Sequence, residues 1–404
     1  MGFVADHPVL VVSIIKIAVL LFVVLTVLAY LSWFERKVIA HIQARVGPLF
    51  VGAHGLLQPL ADGLKFLFKE DVTPGTSDRL IFRLAPFVAL SLALTTLALI
   101  PIGPATIDIL GQPTHLVLAN TSLGLLFLFA ITSIGVYGVA LAGWSSNSKY
   151  PLLGGLRSSA QMISYEVSLT LSVVGVILLA GSFDFYSVIQ GPHGQGGHWW
   201  HLIPKWNIFP QVVGFLCYFM SAVAETNRAP FDLPEAEAEL VAGFNTEYSS
   251  FKFAMFFMAE YANMITVSCL ATILFLGGWL SPFPADWKWQ LYLPGVILLL
   301  GALALYAELF IAKLTSIARL QVFVVGSIAL VFGLLALIPF VMPIIQGPFW
   351  FLLKVGFLIF FYVWARATLP RFRYDQLMSF GWKLLLPVSL ANLVVTAIIV
   401  LLIR

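Results

Sequence analysis

Ten uninterrupted apolar runs of roughly 20 residues recur along this chain of 404 residues and leave few folds open to it. A helix needs about 20 apolar residues to cross roughly 30 Å of hydrocarbon, and within lipid its backbone polar groups must be satisfied internally. The runs fall near 10–32, 84–101, 119–143, 160–181, 208–225, 254–277, 292–312, 320–344, 349–366 and 384–403. They are continuous rather than alternating, which excludes a membrane β-barrel. Only 10% of the residues are charged, against about 25% in a soluble domain. The sequence therefore predicts an all-α, polytopic transmembrane bundle of about ten spans, forming one integral membrane domain over residues 1–404. The first run passes straight into Glu35-Arg36-Lys37 with no small-residue cleavage site, so it reads as a retained anchor.

Lys and Arg accumulate on the cytoplasmic side of short loops. With the N-terminus outside, seventeen of the twenty-two cations fall inside, and the even number of spans returns the C-terminus to the outside. The two cysteines, Cys217 and Cys269, both lie in predicted spans, so no disulfide framework or thiolate cluster site is expected. No dinucleotide fingerprint, Walker loop or HExxH motif occurs. The chain is expected to hold no redox centre and no metal of its own; His193, His198 and His201, in one outside loop, lack an accompanying carboxylate or cysteine.

The inside loops are more than linkers. Between the first two runs, Gln58, Asp62, Lys65 and Lys69 share one helical face, while Leu56, Leu57, Leu60, Leu64, Leu67 and Phe68 fill the other. This pattern, with Pro59 in the first turn, predicts an amphipathic helix lying in the membrane interface. Its polar face either anchors at the surface or lines the mouth of a cavity.

The stretch ETNRAPFDLPEAEAELVAGFNTE, residues 225–247, gathers six of the nineteen acidic residues into a cytoplasmic loop. Asp232 and Glu235 are spaced as a capping box, and Gly243 supplies a stop. A cap accounts for two of the six carboxylates. Glu235 and Glu239 lie one turn apart, where like charges repel, and Glu225 and Glu237 are near in sequence. Crowded carboxylates bind protons more readily than isolated ones and can pass them on; a solvated acidic loop is the plainer alternative. Glu166 and Glu260 weigh more, because each sits inside an apolar run beside a tyrosine, where an ionisable group is costly unless it faces a polar interior. Proton relay is the default reading for both, and a hydrogen-bonded structural pair the alternative. Glu308 lies nearer an interface, and Lys16 is placed to snorkel.

Several long blocks then carry a resemblance: ERKVIAHIQARVGP, GLLQPLADGLKFLFKED, KYPLLGGLRSSAQMISYE, ETNRAPFDLPEAEAELVAGFNTEYSS, MAEY, LFLGGW and RATLPRFRYDQLMSFGWKLLLP. They closely resemble the H-subunit family of proton-pumping NADH:quinone oxidoreductases, the counterpart of subunit 1 of mitochondrial complex I. The resemblance covers nearly the whole chain. It implies a non-redox subunit of a proton-translocating oxidoreductase in the bacterial inner membrane, forming much of the quinone chamber and the start of a proton path. Quinone would be the substrate, with NADH, FMN and iron-sulfur clusters held by partner subunits of the peripheral arm, and with small and antiporter-like membrane subunits alongside. By motif, Glu35, Arg36, Gln43, Arg45 and Asp62 match the chamber entrance and rim. Arg228, Phe231 and Asp232 match the loop facing the quinone-reducing subunit, and Arg366 lies near the chamber. Glu225, Glu235, Glu237, Glu239 and Glu247 match the acidic loop, and Glu166 and Glu260 match acids on the proton path. A related subunit of a membrane-bound hydrogenase or ferredoxin-driven complex is the nearest alternative, and a stand-alone ion transporter a more distant one.

The chain departs from the family pattern at three places. Leu49 and Phe50 stand where an Asn-Arg pair is usual; Ser133 stands where some relatives place a glutamate; and residues 285–345 read as a two-span insert into a pattern of eight.

Overall fold

A computed structural model of the chain describes residues 8–104, 106–109, 112–199, 203–232, 241–284, 286–311, 316–339 and 341–403. The acidic helix read from Asp232, Glu235 and Gly243 falls mostly outside them, as do Glu235, Glu237, Glu239 and His201.

The helices follow the apolar runs. In chain order they are α1 (Pro8–Ile42), α2 (Gln58–Phe68), α3 (Arg79–Ala98), α4 (Gly124–Ser145), α5 (Lys149–Ala180), the short α6 (Phe185–Gln190), α7 (Val212–Glu225), α8 (Ser250–Phe275), α9 (Leu293–Ile311), α10 (Ser316–Ala336), α11 (Met342–Thr368), α12 (Tyr374–Phe380) and α13 (Leu386–Ile403). Two short antiparallel pairs, Thr106–Ile109 with Gln112–His115 and His198–Trp199 with Ile203–Pro204, decorate the connections.

Among the described residues, eight helices are long and apolar enough to cross a membrane, and two shorter apolar helices, Val212–Glu225 and Leu293–Leu309, occupy the remaining predicted runs. The run at 208–225 is helical only from Val212 because its first residues are committed elsewhere. The Ile208 amide donates to the Phe275 carbonyl (3.0 Å), and Asn207 Nδ2 donates to that of Leu274 (2.9 Å), capping the end of α8. At 14 residues, α7 covers about 21 Å. α5, by contrast, starts eleven residues before its predicted span and reaches about 48 Å.

The bundle is organised around α8, the most enclosed of the spanning helices. Phe22, Leu401 and Leu402 on outer helices face outward at 74–82% exposure, the polarity expected of a lipid-facing surface. Close helix contact depends on small residues. A Cβ added at Gly143 of α4 would stand 2.6 Å from the Pro151 carbonyl oxygen of α5, and Gly155 approaches from the same side. At the end of α5, Gly181 takes a left-handed φ of 72° and terminates the helix.

α2 is the amphipathic helix the sequence predicts, with Pro59 in its first turn. No α2 side chain is fully buried, and Leu60, Leu64, Leu67 and Phe68 are exposed, as suits a helix lying in the interface. α9 and α10 form a hairpin within 285–345, with Leu337 against Gly295, Leu299 against Gly333, and the hydroxyls of Tyr306 and Ser327 2.9 Å apart.

Gly143→Val forces the new side chain against backbone. It is expected to lower stability by about 1–3 kcal/mol, read as a lower midpoint of thermal unfolding in detergent, whereas Gly63→Ala, which meets open space, should leave it unchanged.

Candidate functional site

The charged end of α1 carries Glu35 inward, where its side chain is almost wholly buried. A buried carboxylate needs charge-assisted partners, and three other segments supply them. Arg228, in the loop after α7, donates through Nη1 to both carboxylate oxygens (3.2 and 3.4 Å). Tyr261 of α8 donates its hydroxyl to Oε2 at 2.7 Å. Arg366 from the last turn of α11 completes the set. The Arg228 guanidinium lies 4.3 Å over the Tyr261 ring, a cation–π contact. Burial opposes the charge on Arg228, but the Glu35 carboxylate, followed by Tyr261 and Glu260, outweighs it and raises its pKa above the usual arginine range. Among the described residues, Nε and Nη2 of Arg228 are buried and find no hydrogen-bond acceptor. Glu35, Arg228, Tyr362 and Arg366 border a small cavity of about 10 Å³.

A larger pocket, about 1060 Å³, opens next to this knot. Its walls are largely apolar, with Trp33, Phe34, Phe360 and Trp364, and Lys37, His41, Arg45 and His54 bring polar groups to it. The Arg36 guanidinium, on the neighbouring face of α1, pairs with Asp62 of α2 at 2.8 Å, and Gln58 donates to the same carboxylate at 3.0 Å, tying the interfacial helix to α1. Gln43 is exposed and lines neither cavity. Leu49 lines the large pocket, while Phe50 is 97% exposed, so the positions that depart from Asn-Arg both present apolar surface outward.

A third cavity, about 40 Å³, lies deeper between α3, α4, α7 and α8. Glu225 and Glu260 line it, together with Thr96, Thr132 and Asn227. Among the described residues, the buried Glu225 Oε2 finds no hydrogen-bond partner. Glu166 on α5 accepts a hydrogen bond from Ser133 of α4, so the serine that replaces an expected acid meets the acid of the next helix. Glu247 is half-buried in the turn before α8 and does not line this cavity.

The structure thus gathers Glu35, Arg228 and Arg366 at one centre, places Arg45 in the adjoining pocket and Arg36 with Asp62 at its flank, and sets Glu225 and Glu260 around a separate cavity. Phe231 and Asp232 stand differently. The Phe231 ring is buried, stacked on Phe372 (5.5 Å between centroids), while its carbonyl accepts from Gln161 Nε2 at 2.8 Å. Asp232 is buried and paired with Arg371 at 3.1 Å. Both hold the 226–232 loop against the chain that follows α11. Sequence reasoning missed Tyr261 as a partner of Glu35. The signal was the tyrosine following Glu260, but adjacent helical residues point about 100° apart, so Tyr261 serves a distant acid. Tyr165, beside Glu166, likewise donates to the Leu377 carbonyl (2.7 Å).

Fold and site together define a polytopic membrane protein with a buried carboxylate–guanidinium knot, an apolar side pocket and an internal acid-lined cavity. The sequence profile of the NADH dehydrogenase family matches residues 15–397. The H 1 subunit of NADH-quinone oxidoreductase from Solibacter usitatus is 48% identical over 394 residues, covering 96% of each chain. The H 2 subunit from Koribacter versatilis is 49% identical over 402 residues, covering 97% of each, and the H subunit from Thermomicrobium roseum is 43% identical over 394 residues, covering 98% of this chain and 97% of its own. The chain belongs to the NADH dehydrogenase family, in the group formed by the H subunits of NADH-quinone oxidoreductase.

Two substitutions probe the knot. Tyr261→Phe removes one hydrogen bond to a buried charge and is expected to cost about 1.5–3 kcal/mol. Arg228→Ala leaves Glu35 short of a charge partner and is expected to cost about 3–5 kcal/mol. The order of thermal midpoints in the purified assembly, wild type above Tyr261→Phe above Arg228→Ala, checks both.

Proposed function

We propose that this chain is the membrane subunit that receives quinone in an NADH:quinone oxidoreductase and couples its reduction to proton movement. The observation that carries the reading is the apolar side pocket beside a buried cluster of two guanidiniums and one carboxylate. An isoprenoid quinone has an apolar tail and a small polar headgroup. Trp33, Phe34, Phe360 and Trp364 offer the tail an apolar surface, and Lys37 and Arg45 bring cationic groups to the pocket.

Reduction of a quinone to a quinol consumes two electrons and two protons. The electrons come from redox groups in partner subunits of the peripheral arm, where NADH, FMN and iron-sulfur clusters are held. This chain contributes position and charge. The Arg228 and Arg366 guanidiniums stabilise negative charge that arrives nearby, and more strongly in a dry site than in water. Glu260 acts electrostatically on Arg228 and also lines the cavity with Glu225. A change of charge at the headgroup site is thereby felt by acids within the membrane. Glu166, Glu225 and Glu260 form the inner part of the proposed proton path, with Glu235, Glu237, Glu239 and Glu247 feeding it from the loop.

Under this reading the charged loops lie in the cytoplasm and both termini outside, in the bacterial inner membrane. The 285–345 segment is then a two-span addition to an eight-span frame.

The test is NADH:quinone reductase activity with simultaneous proton translocation in vesicles holding the parent complex. Glu260→Gln is expected to leave assembly intact and to lower proton translocation by about two orders of magnitude, the lower range for losing a positioned proton-transfer group. Unchanged pumping and reduction would return Glu260 to a structural role. Neutralising Glu235, Glu237 and Glu239 together is expected to lower pumping in the same assay, and unchanged pumping would remove the loop from the path.

A further inference from the structure

The α9–α10 hairpin makes polar contacts with one loop that no element of the site requires. That loop, between α1 and α2, turns through Gly52 (φ 79°), a conformation glycine takes freely, and His54 (φ 49°), one that a residue with a side chain rarely adopts. The hairpin holds them. Gln321 of α10 accepts a hydrogen bond from the Ala53 amide through Oε1, and the Glu308 carboxylate of α9 pairs with His54 Nε2. Ala53 packs with Ala318 and Val322, flanked by Leu56, Leu305 and Leu309, in a small apolar cluster apart from the main core. A Cβ on Gly52 would stand 2.7 Å from the Gln321 side chain, so the approach depends on glycine at that position.

The held loop leads directly to the large pocket. The His54 carbonyl accepts from Trp33 Nε1 at 3.1 Å, and His54 and Trp33 both line the pocket, opposite Phe360 and Trp364 of α11. A chain of contacts runs from Glu308 through His54 to Trp33.

We propose that the α9–α10 hairpin is a specificity element for the quinone tail, with Glu308 and Gln321 as positioning residues that fix His54 and Trp33 at the mouth of the pocket. The inference rests on the reading of this pocket as the quinone site. A headgroup with a short tail occupies only the inner pocket. A long isoprenoid tail must also lie along the mouth, so loosening the mouth affects long-tailed quinones alone. Neither Glu308 nor Gln321 lines the pocket, so each acts through the residues it holds.

The experiment compares KM and kcat of the parent complex, in native membranes, for a one-isoprene and a ten-isoprene quinone. Assembly is scored separately by NADH oxidation with a water-soluble acceptor. Glu308→Ala is expected to raise KM for the long-tailed quinone about fivefold, the upper range for loss of a partly exposed ion pair. Its kcat should stay within about a factor of two, and KM for the short-tailed quinone should not move. Gln321→Leu should give the same signature, and adding Glu308→Ala to His54→Ala should add nothing further, since the two act as one unit. Equal KM changes for both tails, a loss confined to kcat, or additivity in the double variant would overturn the proposal. Val46→Trp, which crowds the pocket from its own wall, separates the two readings. If it alters neither quinone's kinetics, the pocket assignment falls and the inference with it; if it does so while Glu308→Ala does not, only the hairpin's role is lost.

Discussion

A single buried carboxylate sets the terms for the functional half of this bundle. Glu35 lies beyond the reach of solvent, and an ion of that size loses several kcal/mol on leaving water unless charged donors surround it. Its three partners come from the loop after α7, from α8 and from α11, so the packing of four segments distant in sequence is fixed by one group. Apolar residues of similar volume would fill the same space at comparable or better stability. The polar knot is therefore better explained by the positioning it imposes than by any gain in stability.

α8 joins this knot to the acid-lined cavity. Glu260 and Tyr261 are adjacent, and helical geometry turns adjacent side chains about 100° apart. One residue faces the cavity with Glu225 while the next donates to Glu35. A rigid, enclosed helix thus presents to both compartments, and its serine and threonine hydroxyls bond back to carbonyls one turn earlier, as Thr266, Ser268 and Thr272 do, leaving few free polar groups in the wall between them.

The membrane architecture is legible in the sequence because hydrocarbon imposes a length and a composition on each span, and α2 because its two faces differ so sharply. The shortness of α7 is not legible. Ile208 and Phe209 are apolar and extend the run, yet Asn207 and Gln211 on either side commit their side chains to α8 and α13, and such bonding depends on tertiary proximity. The site is legible as a set of residue types, through the motifs that resemble a known family, but its pairings are not. The motif assigns Asp62 to the chamber entrance and rim, and it is the partner of Arg36; Phe231 is assigned to the loop facing the quinone-reducing subunit and packs on Phe372; Tyr261 stands in the sequence only as a neighbour of Glu260. Each pairing joins residues 26 to 226 positions apart or reverses a side chain's direction on its helix, and periodicity carries no information about either.

Coupling between the two compartments follows from reciprocity. Glu260 raises the affinity of Arg228 for its proton, so the two groups interact through the protein interior. Such an interaction acts equally in both directions. Negative charge gathered at Arg228 must therefore be felt at Glu260, and a proton taken up by Glu260 must weaken the hold on Arg228's charge. No moving part is needed for the first response, because two unit charges 4 Å apart exchange about 4 kcal/mol at an effective dielectric constant near 20, and the interaction decays only inversely with distance. Met264, Phe256 and Ala259 of α8 are buried, and an interior built of such side chains screens a field less than water does.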